Sequence, residues 1–127
     1  MEHPSKKTLH TWIGKFRVAF RGLYWGIAGQ ASFVVHFTCT LLVILLAAWF
    51  RVTTVEWALL VLAIGLVLTA ELFNSCIETF FRGLPESEQT RTWPALDIAA
   101  GAVLVASLAA LCIGAIIFLP RFLLLFD

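Results

Sequence analysis

Apolar positions in this chain gather into three blocks of bilayer length, separated by short polar stretches. The first runs from Ser32 to Phe50 without a formal charge, and His36 is its one ionisable group. The second opens at Trp57, stays apolar to Ala70, and continues in helical pattern through Glu71, Asn74, Ser75 and Glu78. The third runs uncharged from Ile98 to Leu119, where Pro120 and Arg121 are expected to stop it. A span needs about 20 apolar residues at a rise of about 1.5 Å each. The pattern therefore predicts spans over 32–50, 57–81 and 98–119, with a polar loop over 82–97. The second block qualifies with its polar end at the membrane surface or turned into a bundle. The first block starts too late and runs too long for a cleaved signal peptide, and no small-residue cleavage site follows it.

Ahead of the spans, Trp12, Phe16, Ala19, Phe20, Leu23 and Ile27 recur at three- and four-residue spacing, while Lys15, Arg17 and Arg21 fall off that stripe. This predicts an amphipathic helix over residues 8–28 lying in the headgroup plane, with Gly26 and Gly29 breaking it before the first span. The alternative is a basic leader that only sets orientation.

Composition removes the soluble reading. Of 127 residues, 61% are apolar and 13% charged, against about 45–50% and roughly 25% in soluble domains. The expected fold class is an all-α membrane protein of one domain. A net charge of +1 with no Lys/Arg run excludes a nucleic-acid binder. Cys39, Cys76 and Cys112 sit inside apolar stretches and read as small hydrophobes. Five of the nine Lys/Arg, including Lys6 and Lys7, precede the first span; Arg82 and Arg91 lie in the second loop, and Arg51 alone in the first. The basic excess places the N-terminus and the second loop in the cytoplasm. Trp12, Trp25, Trp49, Trp57 and Trp93 fall near span ends, as interfacial anchors do.

Ionisable groups at membrane depth are functional candidates by default. Glu71, Asn74 and Glu78 are spaced three and four residues apart. At about 100° per residue they share a helix face roughly 60° wide. Two carboxylates flanking an amide suit a divalent cation completed by phosphate oxygens, and the deeper Glu71 suits a general base for a lipid hydroxyl. The structural alternative pairs Glu78 with Arg82 and hydrogen-bonds Glu71 to a neighbouring subunit. Spacing leaves both readings open. A proton-coupled transporter with Glu71 as carrier would use the acid but neither Asn74 nor Asp97.

The stretch Glu71-Leu72-Phe73-Asn74-Ser75-Cys76-Ile77-Glu78 resembles the signature of the small prokaryotic diacylglycerol kinases, a family that includes the undecaprenol kinases. Asp97-Ile98-Ala99-Ala100-Gly101 resembles the family's opening of the third span, and Phe16-Arg17-Val18-Ala19-Phe20-Arg21-Gly22 its surface helix, followed by Phe33 and His36. The resemblance implies a homotrimer in the bacterial inner membrane, with sites shared between subunits. It also implies phosphoryl transfer from ATP, with Mg²⁺, to a lipid alcohol such as diacylglycerol or undecaprenol. It makes Glu71 the base, Glu78 a metal ligand that also serves the nucleotide, and Asn74, Asp97 and the loop residue Glu86 nucleotide-site groups. This chain departs from the pattern with Gln30 where the family has a second metal-binding Glu, Leu96 where it has Lys, and Arg82 where it has an acid. The alternative implied by those departures is a family member that binds lipid or nucleotide without turnover.

Overall fold

The computed structural model describes residues 11–126. Lys6, Lys7 and residues 8–10 of the expected surface helix lie outside the described residues. Those described form helices α1 (Trp12–Ile27), α2 (Ala31–Trp49), α3 (Thr54–Arg82), α4 (Glu86–Thr92) and α5 (Pro94–Leu123). The protein is an all-α membrane protein, with α2, α3 and α5 each long and apolar enough to span a bilayer.

Local chemistry sets the boundaries. Thr11 caps α1 by accepting from the Gly14 N–H at 3.1 Å. The helix runs through Gly26 and turns into α2 at Gly29, whose φ of 77° is a left-handed conformation open to glycine. Gly26 sits where α1 lies close on α3: a Cβ there would come 2.7 Å from Leu72 Cδ2, so the leucine side chain would have to shift.

α3 begins three residues ahead of the expected Trp57. Thr53 and Glu56 form a reciprocal capping box, with the Thr53 N–H donating to Glu56 Oε2 at 2.7 Å and the Glu56 N–H to Thr53 Oγ1 at 3.3 Å. The 29 residues of α3 span about 43 Å, against about 30 Å of hydrocarbon. Its polar end therefore leaves the apolar layer.

The expected loop over 82–97 is largely helical. Pro85 and Pro94 start α4 and α5, positions where a missing N–H costs nothing. Trp93 at the corner packs edge-on against Phe81 with ring centroids 5.6 Å apart, which docks the corner on the end of α3. α5 also runs past Pro120, the expected stop, to Leu123. Beyond the proline the Leu124 N–H closes onto the Pro120 carbonyl at 3.2 Å, so only the bond proline itself lacks is lost.

α3 is the axis of the fold, packed most extensively along α5 and touched by both α1 and α2. The apolar core sits at one end, where Ala47, Val52, Leu60, Ile117 and Phe118 bury one another beside the Arg51 turn. At that end Arg121 donates to Glu56 Oε2 at 2.8 Å and to the Ile117 carbonyl, tying α5 to the start of α3. The turn is a Schellman motif: the Val52 N–H reaches the Ala47 carbonyl at 3.1 Å and the Arg51 N–H the Ala48 carbonyl at 3.2 Å. Arg51 takes the left-handed position at φ 49°, where glycine is usual. Arg51→Gly should raise stability by about 1 kcal/mol, since left-handed backbone costs an L-residue roughly that much. Unfolding in detergent checks it, and a lowered midpoint contradicts it.

Candidate functional site

The polar residues of α3 form a ridge with a cleft on each side. Counting about 100° per residue from Glu71, Glu78 and Arg82 fall almost in line with it. Asn74 falls to one side of that line and Ser75 to the other. The structure uses both sides.

On the Asn74 side lies a polar cleft of about 430 Å³, walled by Asn74, Glu78, Phe81 and Arg82 of α3, by Trp93, and by Leu96, Asp97 and Ala100 of α5. Asn74 Nδ2 donates to Glu78 Oε1 at 3.0 Å, and Arg82 Nη2 donates to Glu78 Oε2 at 3.1 Å. Both oxygens of Glu78 are thus engaged along one helix face. The amide's donation fixes its orientation and leaves the Asn74 carbonyl oxygen free to accept. Asp97 stands exposed in the first turn of α5, where the positive end of the helix dipole favours it.

On the Ser75 side lies a larger, mostly apolar cleft of about 930 Å³ beneath α1. Leu72, Ser75, Cys76 and Thr79 face Leu23, Trp25 and Gly26 across it. Gln30 lines this cleft, whereas Glu78 lines the other, because the left-handed turn at Gly29 carries the start of α2 beneath α1. Arg82 lines both clefts.

Glu71 lies under the ridge, 4% exposed, with its Oε2 3.5 Å from His36 Nε2 on α2. At about 1.5 Å per residue it stands about 22 Å along α3 from Glu56, and Glu78 about 33 Å. An apolar layer of about 30 Å that began at Glu56 would reach past Glu71 and end short of Glu78.

The structure therefore brings Asn74, Glu78 and Asp97 to one cleft, sets Glu71 one turn deeper against His36, and places Gln30 across the ridge. Glu86 is exposed in the first turn of α4 and is not among the residues lining the polar cleft. Two groups stand out only in three dimensions. His36, the one ionisable residue of its span, meets the buried acid. Ser75, 2% exposed, has a hydroxyl without a hydrogen-bond partner. Its signal in the sequence was its place beside Asn74, but nothing there showed that it faces the other cleft. Among the described residues no three His, Cys, Asp or Glu side chains converge on one point.

Comparison with known proteins adds a second line. The family model described as prokaryotic diacylglycerol kinase matches residues 17–118. The chain is 33% identical over 109 residues to a diacylglycerol kinase of Synechocystis sp., covering 85% of this chain and 62% of that protein. It is 28% identical over 116 residues to an undecaprenol kinase of Bacillus subtilis, covering 91% of this chain and 94% of that one. No solved structure matches it.

Ser75 generates a stability prediction. Ser75→Ala removes a buried hydroxyl that lacks a partner and should raise stability by about 1 kcal/mol. Thermal unfolding of the detergent-solubilised protein measures this, and a loss of stability would show that the hydroxyl is bonded after all.

Proposed function

The chain belongs to the prokaryotic diacylglycerol kinase family, and from that membership we propose that it is an integral membrane lipid kinase. It moves the γ-phosphoryl group of ATP to the hydroxyl of a lipid alcohol, diacylglycerol or undecaprenol. The observation that supports this best is the pair of clefts sharing one ridge, one carrying Asn74, Glu78, Arg82 and Asp97 on its walls and the other larger and mostly apolar, with the buried carboxylate of Glu71 between them on the same helix. A water-soluble phosphate donor and a lipid acceptor need that division of surface.

The polar cleft takes the nucleotide. Glu78 and the free carbonyl oxygen of Asn74, faced by Asp97, fit a hard cation that brings most of its own oxygen ligands, as Mg²⁺ does when it travels with phosphates. Bound there, Mg²⁺ supplies charge neutralisation at the phosphates. Arg82, the one cation lining the cleft, supplies a guanidinium for phosphate oxygens. The apolar cleft takes the lipid chain, with its hydroxyl directed toward the ridge. Glu71 takes the hydroxyl proton as the oxygen attacks the γ-phosphorus, and ADP leaves with the bridging oxygen. Phosphoryl transfer asks a protein mainly for position and charge, so few residues suffice.

The basic N-terminal side lies in the cytoplasm by the positive-inside rule, with the polar cleft on that face of the bacterial inner membrane, where ATP is. α2 buries only Phe33 and Ala47, and much of its apolar surface faces outward. A homotrimer with sites shared between subunits covers part of such surface. One observation favours a second reading: Arg82 occupies Glu78 at 3.1 Å, which suits a member that binds without turnover.

The decisive assay is transfer from labelled Mg-ATP to each lipid alcohol by the full chain in bilayers. Phosphorylated lipid is expected, with Glu71→Gln lowering the rate about 10²-fold or more, the scale of a lost general base. Saturable ATP binding with no transfer establishes the second reading instead.

Gln30 offers a finer test. Because Arg82 borders both clefts, the new carboxylate in Gln30→Glu should draw the guanidinium across the ridge and free Glu78 for metal. The Mg²⁺ concentration for half-maximal activity should fall about threefold or more, since a charge-assisted bond competing with the metal is removed. An unchanged Mg²⁺ dependence would mean that Arg82 does not cross.

A further inference from the structure

The reading of Glu71 as a base leaves open how a carboxylate is kept usable where the helix passes through apolar surroundings. Taking a lone carboxylate out of water is costly enough that such groups are paired or neutralised. Among the described residues, the ionisable group within ion-pair distance of Glu71 is His36, with Nε2 3.5 Å from Oε2 and side chains 19% and 5% exposed. The other charges nearby are engaged elsewhere or on other walls. Glu78, two turns up the same helix, is held by Asn74 and Arg82, and Asp97 of α5 borders the polar cleft.

On its other side His36 borders a small, mostly apolar cavity of about 110 Å³ between the three spans, lined also by Cys39 and Thr40 of α2, by Leu60 and Ala63 of α3 and by Gly114 of α5. Phe33, one turn earlier on α2, is 2% exposed and anchors that helix face. Glu71 is the charged group the imidazole meets, and Thr40, one turn on along α2, is the hydroxyl on the same cavity wall. A carboxylate oxygen only accepts, so the hydrogen must sit on Nε2 whether the ring is neutral or charged. The 3.5 Å separation lies just beyond a closed hydrogen bond, a gap typical of catalytic pairs before substrate tightens them.

We propose that His36 is a positioning residue for Glu71, its Nε2–H directed at Oε2 so that the carboxylate is held in one orientation and Oε1 is left to take the acceptor's proton. His36 exchanges no proton with the substrate. It decides which oxygen of Glu71 works. The proposal rests on the reading of Glu71 as the base, and the test is built so that the two can fail separately.

The full chain in lipid bilayers is compared with His36→Leu, His36→Phe and His36→Gln. Leucine and phenylalanine remove the donor, phenylalanine keeping the ring's bulk, while glutamine keeps an N–H without a titrating ring. The two donor-less variants should lose about tenfold or more in kcat with KM for Mg-ATP within about twofold, and His36→Gln should recover most of the loss. Infrared spectra at neutral pH provide a readout that needs no turnover. The Glu71 carboxylate stretch should shift in His36→Leu and His36→Phe relative to the unsubstituted protein, keep its position in His36→Gln, and vanish when Glu71→Gln is added. Wild-type kcat in the donor-less variants overturns the proposal. So does an equal loss in His36→Gln, or the same Glu71 carboxylate stretch in the donor-less variants as in the unsubstituted protein. If the unsubstituted protein shows no Glu71-dependent transfer, the kinase reading falls, and the infrared comparison still decides whether His36 governs Glu71.

Discussion

Everything in this molecule turns on the intolerance of an apolar layer for unpaired charge. Two of its three spanning helices, α2 and α5, are nearly free of ionisable groups along their apolar stretches, and the third, α3, carries two acids and an amide on a single face. That face cannot meet hydrocarbon, so α3 must be the helix the others surround. The arrangement follows: α1, α2 and α5 all pack on α3, and both acids of the ridge are given partners. Glu71 meets His36, and Glu78 meets Asn74 and Arg82.

The two ends of the bundle do different work. At the Arg51 end the buried apolar cluster, the capping box and the Glu56–Arg121 pair lock α2, α3 and α5 together. At the other end the helices stand apart enough to leave two clefts, and contacts are made through single features such as Gly26 against Leu72 and Trp93 against Phe81. The buried apolar contacts are concentrated away from the proposed site, and the closed end holds the register of the spans.

Little of the apolar surface is buried within one chain, and the residues that stay outside are those of a lipid-facing wall, Val35, Leu42 and Leu62 among them. In water such exposure would drive aggregation; in a bilayer it costs nothing, because lipid tails are as apolar as leucine. The small self-buried core is therefore not a sign of weakness. Packing among spans needs only enough close contact to select one geometry.

The sequence by itself determined the class, the three spans and the ridge, because length, hydropathy and the spacing of Glu71, Asn74 and Glu78 are local properties that the α-helix converts directly into geometry. It also carried the capping box at Thr53–Glu56 and the prolines that start α4 and α5, which a reading by hydropathy alone passes over in favour of a late helix start and a loop. Pro120 misled in the other direction, since a proline near the end of a long helix removes one bond and the next turn reseals. What only the tertiary structure decided is which side of the ridge each residue serves. Whether Asn74 shares a cleft with Asp97, whether Gln30 joins Glu78, and what lies against Glu71 depend on how α1, α2 and α5 pack around α3. Those placements come from contacts between residues far apart in the chain, with the left-handed turn at Gly29 among their causes. No periodicity along one helix encodes them.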